Sequence, residues 1–428
     1  MNYDEAIDWL ERLNVFGIKP GLGRIRILLE KLGDPQLKYK TIHVAGTNGK
    51  GSVTAMISKM LSTAGISVGM FTSPHLSSYC ERIKINDVDI SEAEFADEVS
   101  RVKKIIESII AEGGEHPTQF EALTAMAFDH FARAQVEYAV IEVGLGGLLD
   151  STNVITPVVS IITNIGNDHA DKCGGTLEGI ARHKAGIIKR GVPLITGAKE
   201  EPLKIIRSTA KNLDAPIKIL GENFFIDESL ELSLDGDFQL ENAALAIEAA
   251  RMLNDPRLDH SKIVDALRLT RWKARFEHFT IENKTVIIDG AHNPDGVRAL
   301  RKSLDVRFSS QPRRFMFGVL RDKDFDEMIK ILFRTEDFVI VTRPNSARSA
   351  EPKLICERLS QHSIRAVSIE NVRDAFDLWL DDGEENIVRI AAGSLYMIGA
   401  IRDFLVRWGV NGNEPRRCLR QSPTCKNA

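Results

Sequence analysis

Thr41-Ile42-His43-Val44-Ala45-Gly46-Thr47-Asn48-Gly49-Lys50-Gly51-Ser52-Val53-Thr54-Ala55 is the stretch whose reading decides the fold. Thr41–Ala45 is a short apolar run of the kind a buried strand has, and a helix opens at Val53 directly after the glycine-rich turn. Glycines let backbone N–H groups curl towards an oxyanion, and the helix N-terminus adds its positive end. Lys50 supplies a mobile cation for terminal phosphates. The strict pattern for such loops would place a glycine at Val44 and a hydroxyl at Gly51, and both are absent. The bland alternative is a glycine turn with a surface lysine; the strand before the loop and the helix after it favour a phosphate cradle. Gly46, Thr47, Asn48, Gly49, Lys50, Gly51 and Ser52 are therefore candidate nucleotide-binding residues.

Outward from this loop, apolar runs alternate with helix-period segments: Val53–Ala64, Ser67–Phe71, Phe120–Ala134, Tyr138–Val143 and Val158–Thr163. Such alternation means βαβ units and a mostly parallel sheet. The Asp235-Gly236 pair between Leu230–Leu234 and Phe238–Leu240 predicts a hairpin on the sheet's flank, with a helix following over Asn242–Met252. A second series places strands at Val286–Ile288, Phe315–Val319, Phe338–Val341, Arg365–Ile369 and Ile387–Ala391. The expected fold class is α/β. A P-loop ATPase-like domain with a mostly parallel sheet covers residues 1–271, and a linker occupies 272–275. A smaller Rossmann-like α/β domain covers 276–410. Residues 411–428, with two prolines, several basic residues and almost no large apolar side chain, read as a flexible tail.

A chain of 428 residues with 43% apolar content exceeds what one core usually organises and supplies enough to fill two. Its 60 acidic and 56 basic residues nearly cancel, which argues against a nucleic-acid binder and for small-molecule partners. Cys80, Cys173, Cys356, Cys418 and Cys425 lack the spacing of a disulfide framework or a zinc knuckle. No run approaches the roughly 18 apolar residues of a membrane span, and the first residues lack the order of a signal peptide. The expectation is a cytoplasmic monomer that meets neither membrane nor nucleic acid.

Phosphates call for magnesium, a hard ion that takes oxygen ligands. Glu142 ends the apolar run Ala139-Val140-Ile141, where a carboxylate is costly unless a cation meets it, and Ser73 follows a strand and precedes Pro74. His169 follows the strand Ser160–Thr163 and a Gly-Asn-Asp turn, at a carboxyl end where α/β ligands gather. Taken alone, such a histidine is more often a structural hydrogen-bonder. Lys184 closes a helix near Gly186, a position that also suits a lysine merely complementing the helix dipole. Gln239 and Asn242 lie three apart at a helix start, reading either as ligand contacts or as an exposed turn with its cap. Asn293-Pro294 reads as a cap for the next helix.

At these places the chain resembles the folylpolyglutamate synthase and dihydrofolate synthase family of the Mur-ligase superfamily. The matching stretches are Gly46–Ser52; Phe71-Thr72-Ser73-Pro74-His75-Leu76 with Glu81-Arg82-Ile83; Glu142-Val143-Gly144-Leu145-Gly146-Gly147 with Asp150-Ser151-Thr152-Asn153; Asp168-His169; His183-Lys184-Ala185-Gly186-Ile187; Asp289-Gly290-Ala291-His292-Asn293-Pro294; and Gly393-Ser394-Leu395-Tyr396. Together they cover most of the chain.

The resemblance implies ATP and two magnesium ions, with Ser73 and Glu142 as ligands of the first and His169 helping to bind the second. It implies that Lys184 is carbamylated, and that Gln239 and Asn242 contact adenine. Arg275 matches the arginine of a Trp-Pro-Gly-Arg motif, here Trp272-Lys273-Ala274-Arg275. Asp289 and His292 would contact nucleotide or orient glutamate, Ser394 would approach the incoming amino acid, and Arg348 its carboxylate. Lys50, Lys184, His292 and Ser394 are the implied catalytic set. Leu148 and Phe238 depart from the family's usual arginine and histidine, at positions tied to the pterin contacts.

The implied reaction is ATP-dependent addition of glutamate to the terminal carboxylate of a folate. The stretch from Glu142 through Lys189 looks closest to the polyglutamate-extending enzymes. Addition of the first glutamate to dihydropteroate, alone or as a second activity, is the alternative. A peptidoglycan-precursor ligase is disfavoured because the loop begins after only about forty residues, leaving no room for a separate UDP-binding domain. A non-catalytic nucleotide switch is a rival of another class, but it would need no second α/β domain carrying His292 and Ser394.

Overall fold

The computed structural model describes residues 1–17, 19–168, 172–309, 311–380 and 386–407. The tail expected over 411–428 and the candidate ligand His169 lie outside the described residues. The chain divides into two compact units, one comprising Met1–Arg275 with Asn293–Ser303, the other Phe276–His292 with Leu304 onward. No helix among the described residues is long and apolar enough to cross a membrane.

The first unit is built on eight strands: β1 (Lys40–Ala45), β2 (Val68–Phe71), β3 (Ile83–Ile85), β4 (Val88–Asp89), β5 (Tyr138–Glu142), β6 (Val159–Ile162), β7 (Leu194–Thr196) and β8 (Ile217–Ile219). Their order across the sheet is β4-β3-β2-β5-β1-β6-β7-β8. Only the edge pairs β2–β3 and β3–β4 run antiparallel. Both β1 and β5 are buried on alternate as well as like residues, as strands covered on two faces must be. Val44 sits beside Glu142 and Ala45 beside Ile162, so the loops leaving β1, β5 and β6 emerge side by side. That is where an open parallel sheet places its ligand.

Helix Lys50–Thr63 follows β1 and is buried almost all round. It packs on β5 and against the helices Phe238–Met252 and His260–Leu269. Small residues on it, including Gly51, Ser52, Ala55 and Ser58, let these neighbours approach closely. Met56, Ile57, Met60 and Leu61 join Ala243, Ala246 and Ala250 in one apolar cluster. On the opposite side, helices Glu92–Ala111 and Gln119–Arg133 pack Phe95, Val99, Phe128 and Phe131 against β2 and β5. Ser91 and Thr118 start those two helices through capping boxes with Glu94 and Glu121.

The hairpin expected around Asp235-Gly236 does not form. Gly236 does turn the chain, at φ +105°, but Phe238 already lies in helix Phe238–Met252, and Leu230–Leu234 pairs with no strand. Leu234 instead buries itself among the helices of the apolar cluster, with Leu230 and Leu232 half-buried beside it. Alternating leucines thus found apolar partners without a β neighbour, and the alanine-rich run extended its helix backwards over Gln239.

The second unit carries β9 (Glu277–Ile281), β10 (Lys284–Ile288), β11 (Arg313–Phe317), β12 (Phe338–Thr342), β13 (Arg365–Ile369) and β14 (Val388–Ala392), ordered β13-β12-β11-β14-β10-β9. All pairs are parallel except β9–β10. The sheet starts one strand earlier than the expected Val286–Ile288, with β9. The hairpin turn there, Glu282-Asn283, holds both residues at positive φ (+50° and +56°), the geometry a two-residue hairpin needs, without the Asn-Gly or Asp-Gly that usually signals it. β14 lies between β10 and β11, so the loops after β10 and β14 leave the sheet side by side.

Candidate nucleotide and metal site

The phosphate loop is held open by glycines and fastened by its neighbours. Gly46 and Gly49 adopt φ +151° and +83°, and a Cβ would collide with Thr163 Oγ1 at the first and with Asn242 Oδ1 at the second. At Gly51 it would lie 2.8 Å from Trp272 Nε1. Only glycine fits these positions. Thr47 N–H donates to Asn164 O (3.0 Å), Asn48 N–H to Asn164 Oδ1 (2.9 Å), and Thr163 Oγ1 to Asn48 O (2.6 Å). The first N–H groups of helix Lys50–Thr63 have no intrahelical acceptor, which leaves an anion-seeking end at the loop.

Two lysines converge on the loop's carbonyls. Half-buried Lys50 does not simply face solvent: its Nζ folds back to donate to Gly46 O and Thr47 O, both at 3.1 Å. Lys184 closes helix Leu177–Ala185 and is buried, its Nζ donating to Gly46 O at 2.8 Å. Burial first, and then the charge of Lys50, pull its pKa down to about 7. The dipole-complementing role does not describe a lysine so enclosed.

Glu142, at the end of β5, is 4% exposed, and its Oε2 accepts from the Ser73 N–H at 3.1 Å. Desolvation raises its pKa, against the opposing pull of Lys50, the Ser73 amide, Arg275 and Arg82. A buried carboxylate held in this condition by backbone and distant cations fits a hard divalent ion. The Ser52 hydroxyl, buried in the first turn of the loop's helix, has no hydrogen-bond partner among the described residues. Among those residues no group of three or more His, Cys, Asp or Glu side chains is gathered for a metal. Magnesium bound through one carboxylate, hydroxyls and substrate phosphates needs no such group.

Around Glu142 the backbone is shaped by an aspartate that is not among the expected site residues. Asp150, 6% exposed, accepts from Leu145 N–H (2.8 Å), Thr152 N–H (2.9 Å) and Thr152 Oγ1 (2.5 Å). It thereby ties down the Gly144–Gly147 turn after β5. His43 on β1 approaches Thr152 Oγ1 at 2.9 Å, and complete burial lowers its pKa to about 3, so it stays neutral.

Gln239 and Asn242 are both buried near the start of their helix, where Asn242 Nδ2 donates to Gln239 Oε1 at 2.9 Å. Gln239 Nε2 has no partner among the described residues. The reading of an exposed turn is therefore incorrect for this pair. Arg275 donates to Ala274 O at 2.9 Å, while Lys273 pairs with Glu81 at 2.9 Å. Leu148 and Phe238, the departures noted above, are 44% exposed and half-buried respectively.

In the second unit, Asp289 follows β10 and is buried, with its carboxylate accepting from Phe276 N–H (2.7 Å) and Ala291 N–H (2.8 Å). His292 Nδ1 lies 2.7 Å from Gly290 O; a carbonyl only accepts, so Nδ1 carries a proton. Gly393 N–H donates to Ala291 O at 2.8 Å and joins the two loops. Ser394 follows, 2% exposed, its hydroxyl without a partner among the described residues. Arg348 stands apart from this group, exposed on the loop after β12 and 3.9 Å from Asp322.

The Mur ligase middle domain family matches residues 44–223, and the Mur ligase glutamate ligase domain family matches residues 274–395. A dihydrofolate synthase/folylpolyglutamate synthase of Bacillus subtilis is 36% identical over 425 residues, covering 94% of this chain and 98% of the relative. A Mycobacterium tuberculosis folylpolyglutamate synthase complexed with ADP and AMPPCP superposes with TM-score 0.88 at 30% identity, covering 97% of this chain and 100% of that one. A bifunctional folylpolyglutamate synthase/dihydrofolate synthase from Yersinia pestis, complexed with AMPPNP and Mn ion, gives TM-score 0.85 at 28% identity, covering 95% and 98%.

Proposed function

We propose, on the premise that this chain belongs to the folylpolyglutamate synthase/dihydrofolate synthase family of the Mur ligase superfamily, that it uses ATP to join L-glutamate to the terminal carboxylate of a folate. The observation that carries the reading is the loop Gly46–Ser52, with Gly46 and Gly49 at positive φ and two lysines on one carbonyl. The substrate carboxylate oxygen attacks the γ-phosphorus of ATP and ADP leaves; the glutamate nitrogen, as the neutral amine, then attacks the acyl carbon, phosphate leaves with the C–O electron pair, and the new amide nitrogen gives up a proton to solvent. Lys50 exchanges its loop carbonyls for the transferring phosphoryl group and neutralises charge as it develops. The N–H groups at the helix start cradle the remaining phosphates. Gln239 and Asn242 offer the adenine an amide pair, and Arg275 supports the nucleotide.

Glu142, Ser73 and Ser52 suit a magnesium ion, which when bound supplies Lewis-acid neutralisation of phosphate charge. A second ion is assigned to His169 and Lys184. A neutral amine is needed for carbamylation, and a Lys184 pKa of about 7 makes that amine available near neutral pH. Its nitrogen attacks CO2, an N–C bond forms and a proton is released, converting a cation into a carboxylate-like ligand. Labelled bicarbonate detected on Lys184 by NMR supports this, and a bare amine throughout a bicarbonate titration would rule it out. His292 and Ser394, supported by Asp289, are assigned to the glutamate-handling step, and the working state is a cytoplasmic monomer.

The test is phosphate release from ATP that requires both glutamate and a folate, with a product heavier by one glutamyl residue. Release independent of glutamate would sink the proposal. Dihydropteroate in place of folate examines the second reading, which the double name of the Bacillus relative favours as an additional activity. A nucleotide switch has no use for the 274–395 match to a glutamate ligase domain.

A further inference from the structure

Asn293 reads from sequence as a helix cap, and it is one: its Oδ1 accepts from Gly296 N–H at 2.8 Å at the start of helix Pro294–Arg307. The cap accounts for one of four hydrogen bonds. Asn293 is 2% exposed, and its Nδ2 donates to Asp168 Oδ2 (3.0 Å) and to Asn48 Oδ1 (3.1 Å), while its Oδ1 accepts from Asn48 Nδ2 (3.2 Å). Chemistry fixes which end of this amide is nitrogen. The Asp168 carboxylate can only accept and the Gly296 N–H can only donate, so Asn293 has one allowed orientation, and it imposes the matching one on Asn48.

Asn48 is the third residue of the phosphate loop. Its N–H is held by Asn164 Oδ1, its C=O by Thr163 Oγ1 and its side chain by Asn293. Helix Pro294–Arg307 is seated to make this bond: Gly166 has no Cβ, and one placed there would collide with the Asp295 carboxylate.

We infer that Asn293 is a positioning residue for the phosphate loop, clamping the Asn48 side chain so that the loop holds the shape in which its following N–H groups receive ATP. The inference rests on the nucleotide-binding reading of the loop. Aspartate at this position would keep the cap, lose both donors and face Asp168 with a second negative charge. Serine would keep the cap without adding charge, and it is too short to reach Asn48.

The experiment measures ATP affinity, thermal midpoint and the kcat and KM for ATP in the full chain and in Asn293→Ser, Asn293→Asp and Asn48→Ala. Asn293→Ser should fold with a near-native midpoint yet weaken ATP binding roughly tenfold or more, the loss expected of buried hydrogen bonds left unmade. Its KM for ATP should rise more than its kcat falls. Asn293→Asp should bind more weakly still and with a lowered midpoint, because it sets a second buried negative charge against Asp168. Adding Asn48→Ala to Asn293→Ser should cost little beyond either single change, because both remove one interaction. Native ATP affinity in Asn293→Ser, or fully additive losses, would overturn the inference and leave the ligase reading standing. Failure of the unaltered chain to bind ATP would overturn both.

Discussion

The loops after β1 and β10 both leave the C-terminal end of a parallel-sheet strand and both lead towards a helix, yet they treat their own amides in opposite ways. After β10, Asp289 turns inward and takes the N–H of Ala291 from its own loop, and with its other oxygen the N–H of Phe276 just before β9, so the loop is held by its own carboxylate. After β1 no carboxylate performs that service. Thr163, Asn164 and Asn293 fasten Thr47 and Asn48 from outside, and the amides that follow at the helix start are left for a ligand. A loop stabilised by its neighbours can offer its backbone to an anion; one stabilised by its own aspartate offers side chains such as His292 instead.

If that contrast holds, Lys50→Ala should lower turnover by about a hundred- to a thousandfold, the scale of losing one preorganised charge stabiliser. Its midpoint should stay near native, because the Gly46 and Thr47 carbonyls it leaves can be hydrated. His292→Ala should lower turnover while leaving ATP affinity within about threefold of native, as expected of a residue outside the phosphate cradle. Equal losses of ATP affinity in the two variants would erase the distinction between the loops.

Lys184 sharpens the comparison through pH. Its pKa in the folded chain, about 7, lies below its ordinary value, so between pH 7 and about 10 the unfolded chain carries a proton that the folded one lacks. Stability contributed at this site must therefore rise with pH across that window, by an amount on the order of a few kcal/mol; below pH 7 both states are charged and the burial penalty is constant. In CO2-free buffer, Lys184→Met should flatten that rise and raise the midpoint at pH 7 while losing activity. A variant with the native slope would show that Lys184 is not the titrating group.

Smaller effects separate the glycines. Gly46→Ala and Gly393→Ala both place a Cβ at positive φ, against Thr163 and against Gly318 O respectively, and each should cost about 1–3 kcal/mol in denaturant unfolding. Only the first should weaken ATP binding. Arg348→Ala, at an exposed side chain 3.9 Å from Asp322, should change stability by less than about 0.5 kcal/mol. A rise in KM for glutamate alone would support its assignment to the substrate carboxylate, and an unchanged KM would remove it.

The sequence disclosed what depends on local pattern. Thr41–Ala45 running into glycines and then a helix gave β1, the loop and helix Lys50–Thr63, and the apolar alternation gave two mainly parallel sheets. It disclosed less where long-range packing decides. Leu230–Leu234 has strand-like alternation but is claimed by helices, and Glu282 at positive φ gave no turn signal for β9. Among candidate site residues, the buried place of Glu142 was legible because a carboxylate ending an apolar strand contradicts its surroundings. Asp150, Asn164 and Asn293 were not, since an asparagine or aspartate near a turn looks the same whether it caps its own backbone or holds a loop far away in the chain. Asn293 does both, and only its first role leaves a local trace.

That distance bears on how the molecule is made. Asn48 is bound by residues that follow it by 115, 116 and 245 positions. As the chain leaves the ribosome, β1 and the glycines appear early, but their sheet neighbours β5 and β6 and the Thr163-Asn164 clasp come much later, and Asn293 later still. The phosphate loop is thus present as sequence long before it exists as a receptor. Nascent chains arrested after residue 200 should possess the sheet around β1 yet lack the last bond on Asn48, and retention on immobilised ATP should strengthen once Asn293 has emerged.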